Sequence, residues 1–373
     1  MDLIYIFTFD YSLSTWAKSG YISREADYFQ SLLDNVHNKI TLVTYGDNSD
    51  YKHMDEFKDI ELIPIYSLTK RPNSKILRYL KSFYIPFVIK KNLSTENKAL
   101  IRQNQLLGSW VSIILKFLTG SHLIVRTGYD MYTFAKYENK SSITKFLYLI
   151  LTQITIIFSD VYSSTSKVDI KFIKNTFYFT KDKIHLVPNW VHFQKEPLKY
   201  SRNLDTILSI GRIEKQKNLF QLIEELSGYD YKILHIGEGS QKQDLIEYAE
   251  LKNVNLKILN NLDNDQIYDL LAKHLIFVSL SIFEGNSKTI LEALGSRCIV
   301  FASDIINNHE LIEDRVNGIL VNLENPQLGH MINSIVSDKK TFKNISNNAV
   351  SKIVNENSLS RIIQIEKKII SNL

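Results

Sequence analysis

The chain has 373 residues, which exceeds the size at which one hydrophobic core usually stops growing, so two domains are expected. Its hydrophobic fraction of 44% is typical of a packed globular protein and excludes a disordered one. The single cysteine, Cys298, excludes an intramolecular disulfide and a cysteine-based metal cluster, and it fits a reducing cytoplasmic location. Residues 1–190 hold 24 Lys and Arg against 17 Asp and Glu, so the positive charge lies in the first half.

The first half of the chain predicts a parallel sheet. The opening segment, MDLIYIFTFDY, carries an aspartate and no basic region, which indicates a buried strand and not a signal peptide. No uncharged apolar run reaches 18 residues, so no membrane-spanning helix is expected. Helical patterns alternate with seven short β-branched segments, namely LIYIFTF, ITLVTYG, IELIPIY, ALIRQNQ, HLIVRTG, DVYSSTS and KIHLVPN.

The second half repeats this alternation and predicts a second doubly wound domain. Its strand candidates are TILSIGR, YKILHIG, VNLKIL, IFVSLS, CIVFAS and GILVN. We expect a first domain over 1–188, a second over 189–355, and a terminal helix over 356–373 that packs on either domain, including back onto the first. Two such domains facing each other would line a central cleft with the carboxyl ends of their strands, where ligands bind in open α/β sheets.

The basic segment at 70–91 is an exception to the mixed charge of the chain, since it has seven cations and no acidic residue. Aromatic and aliphatic residues stand between the cations, so a helix here is either packed on its own domain with a solvated basic face or a patch that binds an anionic membrane surface.

A first candidate site follows the strand of SIGRIEKQKNL, where Arg212 and Lys217 surround a loop. Two cations at the carboxyl end of a strand can hold a diphosphate, Arg through its planar fork and Lys as a point charge. The alternative is a solvated basic loop, since most Lys and Arg side chains are exposed.

The segment HIGEGS places Gly237 and Gly239 after the next strand. A dinucleotide fingerprint needs a third glycine where Lys242 stands, so the pair predicts only a tight turn with close backbone approach. The chain contains no Walker-type phosphate loop, which argues against an NTPase.

The segment FEGNSKTILEAL predicts a strand running to Glu284 and a short helix stopped by Gly295, with Asn286 or Ser287 as the N-cap. The free N–H groups of its first turn favour an anion such as a phosphate. Glu284 before the turn and Glu292 about two turns along can then accept hydrogen bonds from two sets of sugar hydroxyls. The alternative is that Glu284 is a helix-start acid and Glu292 a surface residue.

Taken in order, these segments resemble the retaining glycosyltransferases of family 4, which have the two-domain GT-B fold. The resemblance rests on Gly211-Arg212 with Lys217-Asn218, the G-x-G turn, and the Glu-Gly motif with its second glutamate. The segments ELIEDRVNGILV and LVPNWVH are also similar to family segments. The chain departs from the family pattern at Ser287, where proline or glycine is common, and at Ser296 to Cys298, where a glycine-and-proline turn is usual.

The resemblance implies an α/β protein with two Rossmann-like, doubly wound domains. It assigns catalysis to Glu284, Arg212 and Lys217. The donor site it implies consists of Arg212, Lys217, Gly237, Gly239, Glu284, Asn286, Ser287, Lys288 and Glu292. In this implied donor site, Arg212 and Lys217 neutralise the donor diphosphate. Glu284 contacts the donor sugar, and Glu292 contacts the ribose.

The first half is similar to the acceptor side of the family through STWAKSGYISREADYFQSLL and LIVRTGYDMYTFAK. These segments give Gly20, Arg126, Tyr129 and Asp130 as acceptor-side candidates. Many relatives have a histidine near this second segment, whereas here His122 begins the strand and no histidine follows it. Whether a residue between Arg126 and Asp130 takes its place stays open.

The expected function is a retaining transferase that moves a sugar from a nucleotide diphosphate donor to a hydroxyl of a growing, lipid-linked glycan of a bacterial surface polysaccharide. We expect no cofactor, no metal, no nucleic-acid partner, and a cytoplasmic protein that is peripheral on the inner membrane face if 70–91 binds lipid. The alternatives are a nucleotide-sugar epimerase and an inactive nucleotide-sugar-binding module. The donor base and sugar, the acceptor, the linkage and the oligomeric state stay open.

Overall fold

The computed structural model describes residues 1–94, 98–178, 183–194 and 202–373. The chain divides into two compact units. The first consists of Met1–Val187 and Ile363–Leu373, and the second of Pro188–Ile362. In the described part of the chain, no helix has the length and apolar character needed to cross a membrane.

The first unit is built on a seven-stranded parallel sheet. Its strands are β1 (Leu3–Ile6), β2 (Ile40–Thr44), β3 (Ile60–Pro64), β4 (Leu100–Asn104), β5 (His122–Thr127), β6 (Val161–Ser164) and β7 (Ile184–Leu186). They lie in the order β3-β2-β1-β4-β5-β6-β7, with the chain reversing its direction of progress at β1 and β4. All seven segments predicted from the sequence form strands, because parallel strands buried on both faces appear as apolar β-branched runs.

Helices cover both faces of this sheet. They are α1 (Leu13–Lys18), α2 (Ile22–Asn35), α3 (Ile65–Leu68), α4 (Lys75–Ser82), α5 (Ile85–Asn92), α6 (Ser109–Thr119), α7 (Met131–Tyr137), α8 (Ser142–Phe158) and α9 (Lys167–Thr176). A 3-10 helix, Asn48–Glu56, precedes β3. The single helix expected within 70–91 is instead the pair α4 and α5, and Pro86 stands in the first turn of α5, where its missing N–H costs nothing.

The second unit has a six-stranded parallel sheet. Its strands are β8 (Asn203–Ile210), β9 (Lys232–Ile236), β10 (Asn255–Leu259), β11 (His274–Ser279), β12 (Ile299–Ser303) and β13 (Ile319–Val321). They follow the order β10-β9-β8-β11-β12-β13, so progress reverses between β8 and β11. All six predicted segments are confirmed, and with the first unit they confirm the expected fold class of two Rossmann-like, doubly wound sheets.

The helices of the second unit enclose two apolar clusters that share this sheet. They are α10 (Leu219–Leu226), α11 (Lys242–Leu251), α12 (Asn264–Lys273), α13 (Lys288–Gly295), α14 (Leu328–Ser337) and α15 (Lys339–Glu356), with 3-10 helices at Lys215–Lys217 and Asn308–Glu310. Every residue of β11 and of β12 is buried, as expected for central strands covered on both faces.

Two sequence boundaries need correction. The strand expected to run to Glu284 ends at Ser279, and five loop residues, 280–284, carry the chain to Gly285. The terminal helix α16 (Leu359–Ile370) starts three residues after the predicted start at 356, because α15 continues to Glu356.

The end of α16 is held in the first unit by a buried polar network. The Arg102 guanidinium donates two hydrogen bonds of 2.9 Å to the Glu366 carboxylate, and the Tyr28 hydroxyl donates a third of 2.7 Å. Burial raises the pKa of the Glu366 carboxyl, but the Arg102 charge and these bonds outweigh it, so the net pKa is lowered. Glu366 is therefore an ionised, fully paired anchor.

Candidate functional site

Two loops at the carboxyl ends of β8 and β11 form the candidate site of the second unit. These strands are neighbours in the sheet, so the loops that leave them start side by side. The Gln216 side chain donates to the Phe283 carbonyl at 2.8 Å, and the Ile282 N–H donates to the Gln216 carbonyl at 2.9 Å. The two loops are thus fastened to each other through both backbone and side chain.

The same loops bring Lys217 and Glu284 into a direct ion pair between Nζ and Oε1. The two side chains are only 15% and 9% exposed, respectively. Gly211 makes room for the lysine, because a Cβ at this position would lie 3.0 Å from Lys217 Cε. Glu284 lies three residues before the N-cap Ser287 and is paired with a cation, so it is not the helix-start acid that the alternative supposed. The lysine is not part of a solvated loop.

Arg212, the other predicted cation, lies on the outside of this pair. It is exposed, and its Nη2 is 3.4 Å from the Gln216 Oε1. A guanidinium with one long hydrogen bond to a neutral amide keeps most of its donors for an incoming anion. The site thus has one cation fixed by a carboxylate and one exposed to solvent.

The G-x-G turn fits closely against the loop after β8. Gly237 has φ of +148°, and a Cβ there would collide with the Gly211 carbonyl. A Cβ on Gly239 would collide with the Ile213 backbone, whose N–H donates to the Glu238 carbonyl at 2.9 Å. The close backbone approach predicted from the sequence is therefore confirmed as geometry.

The sequence interpretation missed His235, the residue two before Gly237. Its imidazole is 1% exposed, and Nε2 lies 2.9 Å from the Gly211 carbonyl, so the tautomer that carries the proton on Nε2 donates this hydrogen bond. Burial lowers the pKa of His235 to about 4, and the Lys217 charge acts in the same direction. A neutral histidine thus holds the loop that carries the predicted cations. In the sequence, its position in a buried strand just before the G-x-G turn is the feature that could have identified it.

Asparagines lock the entry to α13. The Asn189 side chain donates to the Asn286 carbonyl at 2.8 Å, and the Asn189 N–H donates to Asn286 Oδ1 at 3.3 Å. The Asn189 carbonyl in turn accepts from Asn357 Nδ2 at 2.7 Å. Asn286 therefore fixes the loop, and the N-cap is Ser287, whose side chain makes no capping hydrogen bond to the helix backbone.

The remaining residues of this segment differ in exposure. Ser287 is 6% exposed, with Oγ 3.3 Å from the Thr289 hydroxyl, while Lys288 is partly buried at the first helical position. Glu292 is 2% exposed on α13, so the alternative that made it a surface residue is wrong. The first-turn N–H groups of α13 follow directly on the loop that holds Glu284.

The acceptor-side candidates lie in the first unit and have structural roles there. Asp130 is the N-cap of α7 and accepts from the Thr133 N–H at 2.6 Å, and burial raises its pKa. Tyr129 packs on Phe134 with ring centroids 4.2 Å apart.

The other two acceptor-side candidates have backbone contacts. Arg126, near the end of β5, has its Nη2 3.4 Å from the Val187 carbonyl. Gly20 follows α1 with φ of +68°, a conformation that favours glycine, and its N–H donates to the Ala17 carbonyl at 3.0 Å. His122 begins β5, with Nδ1 3.8 Å from the Asp160 carboxylate.

Residues 192–352 match a family model described as glycosyl transferases group 1. Over 202 residues the chain is 28% identical to the N-acetylgalactosamine-N,N'-diacetylbacillosaminyl-diphospho-undecaprenol 4-alpha-N-acetylgalactosaminyltransferase of Campylobacter jejuni, covering 51% of this chain and 54% of that one. Over 204 residues it is 30% identical to the UDP-Gal:alpha-D-GlcNAc-diphosphoundecaprenol alpha-1,3-galactosyltransferase of Escherichia coli, covering 48% and 51%. The chain thus spans about half the length of these curated relatives.

Solved structures share the fold over the whole chain. The Anabaena HepE structure in complex with UDP superposes with a TM-score of 0.75 at 16% identity, covering 100% of both chains. The sucrose-phosphate synthase of Thermosynechococcus elongatus gives 0.77 at 15% identity, also covering 100% of both.

Proposed function

We propose that the protein is a retaining glycosyltransferase, because residues 192–352 match the family model of the group 1 glycosyltransferases. It transfers a sugar from a nucleoside diphosphate donor to a hydroxyl of a lipid-linked glycan. The observation that carries the proposal is the Lys217–Glu284 ion pair, which joins the two predicted donor motifs at the carboxyl ends of β8 and β11.

The proposed chemistry needs help chiefly at the departure of the diphosphate. As the bond between the sugar's anomeric carbon and the diphosphate oxygen breaks, negative charge grows on the leaving group and positive charge on the sugar. Arg212 and Lys217 neutralise the diphosphate. Its leaving oxygen then takes the proton of the acceptor hydroxyl, which attacks the anomeric carbon from the same face and so retains its configuration.

The remaining donor contacts follow from the α13 segment. We assign the first-turn amides of Ser287 and Lys288 to the phosphates or the donor sugar, since the start of a helix favours an anion. Asn286 positions this turn through Asn189. Glu284 is assigned to the hydroxyls of the donor sugar and Glu292 to those of the ribose.

The donor site needs no metal in this proposal. The described residues contain no group of three or more His, Cys, Asp or Glu side chains placed to hold a metal ion. Two cations and a helix start supply the positive charge that a divalent ion would otherwise give to a diphosphate.

The names of the relatives support a lipid-linked acceptor. The Campylobacter and Escherichia enzymes are both named for acceptors on diphospho-undecaprenol. We propose the same class of acceptor here, within the synthesis of a surface polysaccharide such as O-antigen. A UDP sugar is the first donor to test, because HepE has been solved with UDP and with UDP-glucose.

An acceptor of this class would bring the protein to the cytoplasmic face of a membrane, and α4 and α5 support such a location. Their outer face exposes apolar side chains, namely Ile76, Leu77, Leu80, Phe83, Tyr84 and Phe87. Lys75, Lys90 and Lys91 are exposed on the same two helices. Basic and apolar groups together are what an anionic lipid surface binds.

Not every cation of 70–91 is available to lipid. Arg71 and Arg78 both bind Asp10, at 2.9 and 3.0 Å, and Lys81 donates to the Lys70 carbonyl. The substitution Arg78→Glu would therefore disrupt the fold around Asp10.

The proposal is tested first by a thermal-shift screen against UDP, GDP and dTDP sugars, in which a bound donor raises the melting temperature by mass action. The donor found is then incubated with and without a diphospho-undecaprenol sugar, and free nucleoside diphosphate is measured. We expect release only with the acceptor. Conversion of the donor sugar without acceptor would indicate an epimerase, and donor binding with neither reaction would indicate an inactive binding module.

A further inference from the structure

Helix α8 of the first unit exposes an apolar stripe and buries two threonines. Six of its apolar side chains are exposed at helical spacing, namely Ile143, Phe146, Leu147, Ile150, Ile154 and Ile157. By contrast, the residues it buries are Thr152, Thr155 and Ile156. A helix of a soluble domain normally buries its apolar stripe and exposes its polar residues, so this pattern requires an apolar partner.

The buried threonines fix which face of α8 points inward. Thr155 Oγ1 lies 2.8 Å from the Ser109 hydroxyl of α6 and donates to the Leu151 carbonyl at 2.7 Å. At its carboxyl end, Phe158 packs edge-on against Phe117 of α6, with ring centroids 5.7 Å apart. The apolar stripe is thus held outward by polar bonds on the other side of the helix.

The charge around α8 identifies the occupant. The helix has one cation, Lys145, and no acidic residue. Helices α4, α5 and α6 also contain no acidic residue. They are linked to α8, because Phe83 stacks on Trp110 of α6 at 6.4 Å and α6 contacts α8 through Ser109. These helices therefore carry no acidic residue of their own, and the exposed cations Lys75, Lys90 and Lys91 match an anionic lipid surface.

We propose that α8 is an interfacial helix whose stripe is embedded in the headgroup region of an anionic leaflet. It lies in the membrane plane, because its opposite face is packed on α6. The helix is about 25 Å long at 1.5 Å per residue, so the stripe extends along a substantial line of lipid contact. The inference deepens the proposed function, on which it rests, since it adds an almost uncharged apolar attachment to the mixed basic and apolar one of α4 and α5.

The two attachments differ in their response to salt. Attraction between exposed lysines and anionic lipid is strongly screened at 1 M salt, where the Debye length is about 3 Å. Burial of an apolar stripe is not weakened in this way. We therefore expect α8, together with the exposed apolar side chains of α4 and α5, to account for the vesicle binding that persists at high salt.

Vesicle flotation tests the inference with phosphatidylcholine vesicles containing phosphatidylglycerol, at low and high salt. Ile143→Asp with Leu147→Asp should lower the partition coefficient at high salt by about tenfold or more, because both stripe positions become charged. The matched control is Leu251→Asp in α11, which changes an equally exposed leucine in the second unit and should leave binding within about twofold. Lys75→Glu with Lys90→Glu and Lys91→Glu should lower binding at low salt only.

A label reports the position of the stripe directly. Cys298 is buried, so an environment-sensitive dye attached through Ile150→Cys reports on α8 alone. Its emission should shift to the blue when vesicles are added, whereas the dye at Leu251→Cys should not respond. No shift at position 150, or equal binding of the α8 variant, would overturn the inference.

Two further measurements separate the possible causes. Sedimentation velocity without vesicles tests for a dimer; a dimer that the α8 variant dissociates, with vesicle binding unchanged, would assign the stripe to a second copy and overturn the lipid proposal. Thermal shift with the donor sugar should give the same increase in the wild type and the α8 variant. If no nucleotide sugar binds the wild type while α8-dependent flotation remains, the proposed function fails and the lipid contact stands.

Discussion

The most informative perturbation of the site is the removal of the Lys217 charge. Lys217→Met keeps most of the length of the side chain, being one atom shorter, and leaves the Glu284 carboxylate, only 9% exposed, without its cation. Breaking a fully buried pair costs about 3–5 kcal/mol. Since Lys217 is 15% exposed, we expect about 2 kcal/mol here, which lowers the melting temperature of the second unit by about 4–8 °C.

The catalytic loss should be larger and should have a separate cause. A charge-assisted contact to the donor diphosphate contributes about 1.5–3 kcal/mol, or about 10- to 150-fold in kcat/KM if it is expressed fully in the transition state. The double variant Lys217→Met with Glu284→Gln removes both charges. It should recover most of the lost stability, because no unpaired charge remains, and recover none of the activity.

Calorimetry and steady-state kinetics on the wild type, both single variants and the double variant close this cycle. A double variant that is both stable and nearly as active as the wild type would refute the reasoning, since the pair would then serve the fold alone. An unstable double variant would refute the assigned ion-pair energetics.

Four further predictions address other parts of the molecule. Arg212→Ala should lower kcat/KM by about 10- to 150-fold with an unchanged melting temperature, because this side chain is exposed. Activity should survive EDTA; complete loss with rescue by Mg²⁺ or Mn²⁺ would contradict it. Glu366→Gln should destabilise the first unit by about 3–5 kcal/mol by leaving Arg102 buried without its anion, while Glu356→Gln, an exposed change, should cost under about 0.5 kcal/mol. The free energy of unfolding of the second unit should fall by up to about 3 kcal/mol as the pH is lowered from 6.5 to about 4, because the pKa of His235 is lower in the folded state than in the unfolded state. Denaturant unfolding at a series of pH values measures this fall, and the free energy of His235→Leu should depend less steeply on pH.

Local patterns predicted the sheets of this protein well. All thirteen strands were expected at their positions, because a buried parallel strand shows as a short apolar run without reference to the rest of the chain. The end of β11 was misplaced by five residues, since Leu280 and Ser281 are also buried and continue the pattern past the last ladder bond.

The contacts that build the site depend on tertiary structure. Lys217 and Glu284 are 67 positions apart, and Arg102 and Glu366 are 264 apart. Their residue types indicated a role, but no local pattern specifies the partner. The neutral His235 was missed because its function depends on the carbonyl of Gly211, which only the folded sheet brings near.

The orientation of α8 is not predictable from the sequence, for a different reason. Periodicity shows that the apolar residues of 142–158 share a face, but not whether this face points into the protein. The contact between the Thr155 and Ser109 hydroxyls holds the threonine face of α8 against α6, which is the reverse of what the hydrophobic pattern alone would favour.

The proposed reaction is tested most directly by the anomeric configuration of its product. The donor sugar labelled with ¹³C at the anomeric carbon is incubated with the wild type and a diphospho-undecaprenol sugar, and the product is examined by NMR. We predict a new glycosidic signal with the same configuration as the donor, and a signal that grows about 10- to 150-fold more slowly with Lys217→Met. A product of inverted configuration would contradict the retaining mechanism, and an epimerised nucleotide sugar without a glycosidic product would contradict the proposed transfer.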